Sequence, residues 1–173
     1  MKKRIVSIVG ARPQFIKLAP IFKEFVSYKD VEHLVLHTGQ HYDFLMSDVF
    51  FRNFGLPKPD INLGIGSASH HKQTGRMIEK IGDALEKVRP DMAIIYGDTN
   101  TTLAGALAAA KLRIPLSHIE SGLRSYIRDM PEEINRLVAD RLSEILFVPS
   151  QNAIRNLKRE GIANVIPVSY THL

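Results

Sequence analysis

The 173 residues contain no cysteine, so neither a disulfide framework nor a thiolate metal site can be built, and the composition fits a reducing compartment. No apolar run approaches the roughly 18 residues of a membrane span. Met1-Lys2-Lys3-Arg4 and the apolar residues after it imitate the start of a signal peptide. That stretch is broken by Gly10 and ended by Arg12-Pro13, which makes it a first β-strand instead. The expectation is a soluble, cytoplasmic chain with no membrane partner. Metal signatures are missing too. His37 and His41 are four apart, but Gly39 between them interrupts any helix, and no His-Glu-x-x-His occurs. Gly64-Ile65-Gly66 lacks the third glycine and the strand-to-helix setting of a dinucleotide fingerprint. No metal and no cofactor are therefore expected. The net charge is +5, yet the cations are scattered singly and no aromatic-rich basic stripe accompanies them, which argues against nucleic acid as a partner.

What is present is the pattern of a single α/β domain. Apolar residues make up 45% and charged residues 24%, an ordinary balance for a chain with a proper core. Strands are expected at 4–9, 31–37, 91–96, 114–119, 145–148 and 165–168, with a short one at 61–63 inside the irregular stretch 57–69. Helices are expected from Pro13 to about 28, at 44–54, at 70–88, through 102–110, at 131–142 and at 151–159. Such alternation implies βαβ units and a doubly wound, mainly parallel, Rossmann-like sheet with helices on both faces. In that architecture ligands bind at the carboxyl ends of the strands. Gly10-Ala11-Arg12, Thr38-Gly39-Gln40-His41, Gly97-Asp98-Thr99 and the residues from Glu120 to Arg124 each follow a strand, so their loops can converge on one crevice.

The stretch from Gly97 to Arg136 concentrates the chemistry. Two apolar strands end abruptly in carboxylates, Asp98 and Glu120, and Glu132 follows at a helix start with Arg124, Arg128 and Arg136 around it. Ionised groups at buried strand ends are costly unless partnered or used. Asp98 could simply cap the next helix, but Thr99, Asn100 and Thr101 can do that equally well. Glu132 could serve the helix dipole. On helix 131–142, Ile134, Leu137, Val138 and Leu142 mark the expected buried side, which leaves Glu132 and Arg136, at i and i+4, together on the other. Glu133 is a candidate cap or salt-bridge partner. Arg12 and Lys17 would suit an anion lying over the first helix N-terminus. His118 reads as a hydrogen-bonded core residue. Three acids interleaved with fixed cations suggest proton movement on an anionic substrate.

Taken in order, Gly10-Ala11-Arg12-Pro13 with Lys17, Gly39-Gln40-His41, Gly97-Asp98-Thr99, His118-Ile119-Glu120-Ser121-Gly122-Leu123-Arg124 and Pro131-Glu132-Glu133-Ile134-Asn135-Arg136 resemble the N-terminal half of non-hydrolysing UDP-N-acetylglucosamine 2-epimerases. The resemblance implies the N-terminal domain of a two-domain GT-B fold over residues 1–168. Residues 169–173 depart from the family pattern, and a C-terminal nucleotide-binding domain is absent, so the fragment is expected to be inactive alone. It implies catalytic roles for Asp98, Glu120 and Glu132 and substrate contacts for Arg12, Lys17, Gln40, His41, Arg124 and Arg136. The implied substrate is a UDP-sugar, epimerised through UDP elimination to a 2-acetamidoglucal and re-addition, by an enzyme that is a homodimer at full length. Tyr42-Asp43, Met46-Ser47 and Phe50-Phe51 resemble the branch acting on modified 2-acetamido UDP-sugars. A GT-B glycosyltransferase N-terminal domain, a hydrolysing relative and a non-catalytic flavodoxin-like domain remain as alternatives.

Overall fold

Seven strands, β1 (Lys3–Val9), β2 (Val31–His37), β3 (Ile61–Asn62), β4 (Met92–Tyr96), β5 (Leu116–Ile119), β6 (Ile145–Val148) and β7 (Val165–Pro167), pair in the order β3-β2-β1-β4-β5-β6-β7. Every pairing is parallel. The computed structural model describes residues 2–40 and 54–168. His41, nearly all of the helix expected at 44–54, and residues 169–173 lie outside the described residues. Among the described residues, five helices connect the strands: α1 (Arg12–Phe25), α2 (His70–Val88), α3 (Asn100–Lys111), α4 (Pro131–Leu142) and α5 (Gln151–Arg159). None is long and apolar enough to cross a membrane.

The period-2 alternation of the strands divides the core into two layers. Val6 and Ile8 of β1 and Ala93 and Ile95 of β4 face one side, where Met77, Ile81 and Leu85 of α2 and the alanines of α3 cover them. Val9, Ile94 and Tyr96 face the other side, against Phe15, Leu18 and Ala19 of α1. A third cluster joins Leu146 and Val148 of β6 to Ala153 and Leu157 of α5. Helix α3 packs closely on the sheet at Gly105, as its run of small residues predicts. A methyl group built on Gly105 would lie 3.0 Å from Ile95 and 3.3 Å from Ile8. Burying isoleucines such as these contributes roughly 2 kcal/mol each, which outweighs the poor helix propensity of one glycine.

Some boundaries differ from expectation for identifiable reasons. Helix α1 begins at Arg12 rather than Pro13 and ends at Phe25. It carries Pro20 in its interior, and Ile16 is 48% exposed. Strand β5 starts at Leu116, after Pro115, whose carbonyl accepts from the Ala93 amide at 2.9 Å but which has no amide of its own to donate to the ladder.

The sheet order reverses between β1 and β4. The loops that leave these two strands, and their neighbours after β2 and β5, therefore meet at the carboxyl edge.

Candidate active site

The β1–α1 and β4–α3 turns are tied together by a side chain that sequence reasoning passed over. Gln14, 1% exposed, accepts hydrogen bonds from the Gly10 and Ala11 amides at 2.7 and 3.0 Å. Its Nε2 donates to the Tyr96 carbonyl at 2.8 Å and lies 3.1 Å from the hydroxyls of Thr99 and Thr102. A glutamine three residues into a helix that lacks a capping side chain was the available signal. Thr99 is the N-cap of α3, and its amide donates to Thr102 Oγ1 at 3.1 Å. Asp98 is thereby released from capping.

Asp98 turns instead to Arg136. One guanidinium nitrogen of Arg136 donates to Asp98 Oδ2, and the other donates to the Glu120 carbonyl. The Glu120 carboxylate lies 3.5 Å from the same guanidinium through Oε1, and its Oε2 accepts from the Lys17 ammonium at 2.9 Å. Asp98, Arg136, Glu120 and Lys17, from two strand ends and two helices, thus form one continuous acid–base chain. The Arg136 side chain is 6% exposed, whereas Asp98 and Glu120 retain 34% and 23%. The cation is fixed from below and the acids keep a face toward solvent. Gly97 takes φ +64°, a conformation that favours glycine, and a methyl group built there would lie 3.6 Å from the Glu120 carboxylate and 3.8 Å from the Lys17 ammonium. Glu120 itself takes φ +71°, a conformation disfavoured for a side-chain-bearing residue.

Glu132 stands at the N-terminal turn of α4, exposed. It lines a depression of about 200 Å³ together with Asp98, Leu123, Arg124, Ser125, Met130, Glu133 and Arg136. The burial of α4 departs in part from what its apolar pattern predicts, although Leu142 packs against the core and Val138 is half-buried. Ile134 and Leu137 are 49% and 40% exposed, while Glu133, Asn135, Arg136 and Asp140 are buried. Each buried polar group is matched to a partner. Asn135 donates to the Asp98 carbonyl at 2.8 Å. Glu133 accepts from the Ser125 amide and hydroxyl at 2.8 and 3.0 Å and from the Tyr126 amide at 3.3 Å. Burial raises its pKa, but these donors and Arg124 outweigh that and hold it below the usual carboxylate range.

Arg124 is placed differently from the other cations. Its side chain is 1% exposed, with a two-pronged grip on Glu160 at 2.8 and 2.7 Å and a further bond to Asp140 at 2.7 Å. The guanidinium faces inward onto protein carboxylates and holds the β5–α4 loop against α5. Gln40 is likewise engaged by the protein. Its Oε1 accepts from the Thr101 amide and hydroxyl at 3.1 and 2.8 Å, at the start of α3. Arg12 is the first residue of α1 and is exposed at the same edge of the sheet. His118 is fully buried, as expected of a core residue, with Asp140 and the Gly97 carbonyl as its partners. Asp140, completely buried beside it, was not singled out by sequence.

Residues 23–168 match the family model described as UDP-N-acetylglucosamine 2-epimerase. The chain belongs to this family. A UDP-N-acetylglucosamine 2-epimerase homolog of Methanococcus maripaludis is 56% identical over 92% of this chain and 44% of the relative. The UDP-2,3-diacetamido-2,3-dideoxy-D-glucuronate 2-epimerase of Pseudomonas aeruginosa is 51% identical over 91% of this chain and 45% of its own length. The crystal structure of the Methanocaldococcus jannaschii UDP-GlcNAc 2-epimerase in complex with UDP-GlcNAc and UDP superposes with a TM-score of 0.92 at 46% identity, covering 95% of this chain and 46% of that one. The fold is therefore that of the N-terminal domain of GT-B epimerases, and the chain spans under half the length of these relatives.

Proposed function

We propose that this chain supplies the acid–base half of an epimerase that inverts C2 of a 2-acetamido UDP-sugar. The observation that carries the reading is the Asp98–Arg136–Glu120–Lys17 chain, with Glu132 on the rim of the depression that Asp98 and Arg136 also line. The C2 hydrogen of a 2-acetamidohexose is not adjacent to a carbonyl, so its direct removal as a proton is prohibitive. Elimination avoids that barrier. A carboxylate takes the C2 proton as the C1–O bond to UDP breaks, and a 2-acetamidoglucal forms. UDP oxygen then re-adds to C1 while an acid delivers a proton to the opposite face of C2. Asp98, Glu120 and Glu132 supply the exchanging groups, and Lys17, Arg136 and Arg12 stabilise the diphosphate as its charge develops. The Methanocaldococcus enzyme that matches this fold is in complex with UDP-GlcNAc and UDP, and the Pseudomonas relative is named for a diacetamido uronate. Both point to the 2-acetamido UDP-sugar class as substrate. A cytoplasmic location and a homodimer complete the proposal, with the cysteine-free composition in support of the former.

The test is made in the protein extended to the length of its relatives, incubated with UDP-GlcNAc in deuterated water. Deuterium at C2 of recovered substrate and product is the expected result, abolished by Glu120→Gln and by Glu132→Gln. Transfer of the sugar without deuterium uptake would assign the domain to a glycosyltransferase. Release of free N-acetylmannosamine would assign it to a hydrolysing enzyme. Light scattering of the same protein decides the homodimer.

A further inference from the structure

Three buried carboxamides, one from each of α2, α3 and α4, run in a line from the loops after β2 and β3 to Asp98. Gln73 and Asn100 are each 5% exposed and Asn135 is 4% exposed. Gln73 Nε2 donates to the Gln40 carbonyl at 3.0 Å and to the Gly66 carbonyl at 2.9 Å. Its Oε1 accepts from Asn100 Nδ2 at 2.8 Å. Asn100 Oδ1 lies 3.4 Å from Asn135 Nδ2, which also donates to the Asp98 carbonyl at 2.8 Å.

The sense of every amide is dictated at the two ends of the line. A backbone carbonyl can only accept. Gln73 must therefore turn its nitrogen to Gln40 and Gly66, which leaves its oxygen for Asn100. Asn135 must turn its nitrogen to Asp98, which leaves Asn100 to meet it with oxygen. One orientation of Asn100 serves both neighbours, and none of these groups has to ionise. We infer that Gln73 is a positioning residue for the Asp98 turn, acting through Asn100 and Asn135 to hold that turn in register with the Gln40 and Gly66 loops.

Both ends of the line are anchored. Gln40 is fixed a second time by its own side chain, which accepts from the Thr101 amide and hydroxyl, and the Gly66 amide donates to the Gly39 carbonyl at 2.9 Å. At the other end, Asn135 holds the carbonyl of Asp98 while the next residue, Arg136, pairs with its carboxylate. The middle is the sensitive point. His70 Nδ1 lies 3.1 Å from Asn100 Nδ2 and 3.2 Å from its Oδ1, so it serves that amide either way round. Without Gln73, Asn100 loses the acceptor that fixes its sense. The reversed amide sets its nitrogen against that of Asn135, in an interior where an unmatched donor is costly. Asp98 then loses the grip on its carbonyl and with it the setting of its carboxylate against Arg136.

Side-chain exchange in the 15N-labelled chain tests the line without catalysis. The amide protons of Gln73 and Asn135 should exchange with deuterated water about a hundredfold or more slowly than those of the exposed Gln151 and Asn152. Exchange at the exposed rate overturns the inference. In Gln73→Leu the Asn135 side-chain protons should exchange about tenfold faster while the β4 backbone amides stay protected. Unchanged Asn135 protons overturn the coupling through Asn100. Gln73→Met, whose flexible side chain fills a similar space, carries the same expectation and serves if the leucine variant does not fold.

The positioning role rests on the epimerase reading and is measured in the protein extended to the length of its relatives. Gln73→Leu should lower kcat about tenfold with KM changed by less than about twofold. Asn135→Leu should lower kcat as well, and the double variant should be no slower than the slower single, because both act through one line. Losses that multiply overturn the positioning role, as does full kcat in a Gln73→Leu protein whose Asn135 protons exchange freely. A loss carried by KM would place Gln73 at the ligand and overturns it too. Absence of turnover in the unmodified protein counts against the epimerase reading and leaves the exchange results to decide the line.

Discussion

The Lys17 ammonium stands 2.9 Å from the Glu120 carboxylate beside the glycine that opens the β4–α3 turn. The two side chains are about one-fifth exposed, at 19% and 23%, so the pair is screened by solvent and adds little stability. Its significance lies in where it puts charge. The acid on a left-handed backbone is approached from one side by Lys17 and from the other by Arg136, and Arg136 borders the depression rimmed by Glu132.

Replacing Lys17 by methionine separates these roles. In the extended protein the change should reduce kcat/KM on the order of a hundredfold, as expected for loss of one fixed charge at a developing anion. The denaturation midpoint should move by less than about 1 kcal/mol. Lys17→Arg, which keeps the charge but not the compact ammonium, should recover part of the activity. Unchanged turnover in Lys17→Met would remove Lys17 from the site.

Backbone strain at Glu120 gives a second prediction. At φ +71° a side-chain-bearing residue costs roughly 1–2 kcal/mol over glycine. Glu120→Gly and Glu120→Ala lose the same carboxylate and the same ion pairs with Lys17 and Arg136. The glycine variant should nevertheless be about 1 kcal/mol more stable in urea denaturation, and both should be inactive. Equal stabilities would mean that the left-handed conformation relaxes when the side chain is gone. The strain would then depend on the ion pairs that hold Glu120.

Much of this was legible from sequence, for reasons particular residues make clear. The alternation in β1 and β4 and the small residues of α3 report burial by apolar contact, which is what hydrophobic periodicity measures. Asp98 and Glu120 stood out because carboxylates at the ends of apolar strands have few inexpensive explanations. Helix α4 misled because its inner face is polar. Glu133, Asn135, Arg136 and Asp140 are buried and matched while Ile134 and Leu137 face outward. No one-dimensional pattern reveals that a buried acid will meet a histidine 22 residues away and an arginine 16 away. The inward pairing of Arg124 with Asp140 and Glu160 was hidden for the same reason, since those partners lie 16 and 36 residues away.

That placement of Arg124 is itself testable. Arg124→Leu leaves Asp140 and Glu160 without their shared cation, and removing one partner of a buried pair typically costs about 3–5 kcal/mol. We expect a loss near the lower end, because Glu160 is 28% exposed and can rehydrate. In the extended protein at a temperature where the variant stays folded, KM for the UDP-sugar should change little. A KM rise of tenfold or more with stability intact would return Arg124 to the substrate.

His37 carries the last prediction. Its ring is 4% exposed at the end of β2, with its centroid 5.4 Å from that of Phe15, and burial lowers its pKa to about 4 from 6.5. His33, four residues earlier on the same strand, is lowered to about 4 as well, burial outweighing the nearby Asp60 charge. The sign follows from which state binds more protons. Above pH 6.5 both imidazoles are neutral whether the chain is folded or unfolded, and they add no pH dependence. As pH falls from 6.5 toward 4 the unfolded chain takes up protons that the folded one refuses, so stability drops, and the loss is complete only below the folded pKa. For His37 alone the drop is of the order of 3 kcal/mol. Urea midpoints measured between pH 7.5 and 4.5 should therefore fall steadily below pH 6.5, and His37→Gln should flatten that slope. Because His37 precedes the Thr38-Gly39-Gln40 loop that caps α3 through Thr101, acid should release protection of the Thr101 amide in hydrogen exchange before that of the β4 strand. A flat midpoint across this range would show that the β2 histidines accept protons in the folded state without cost.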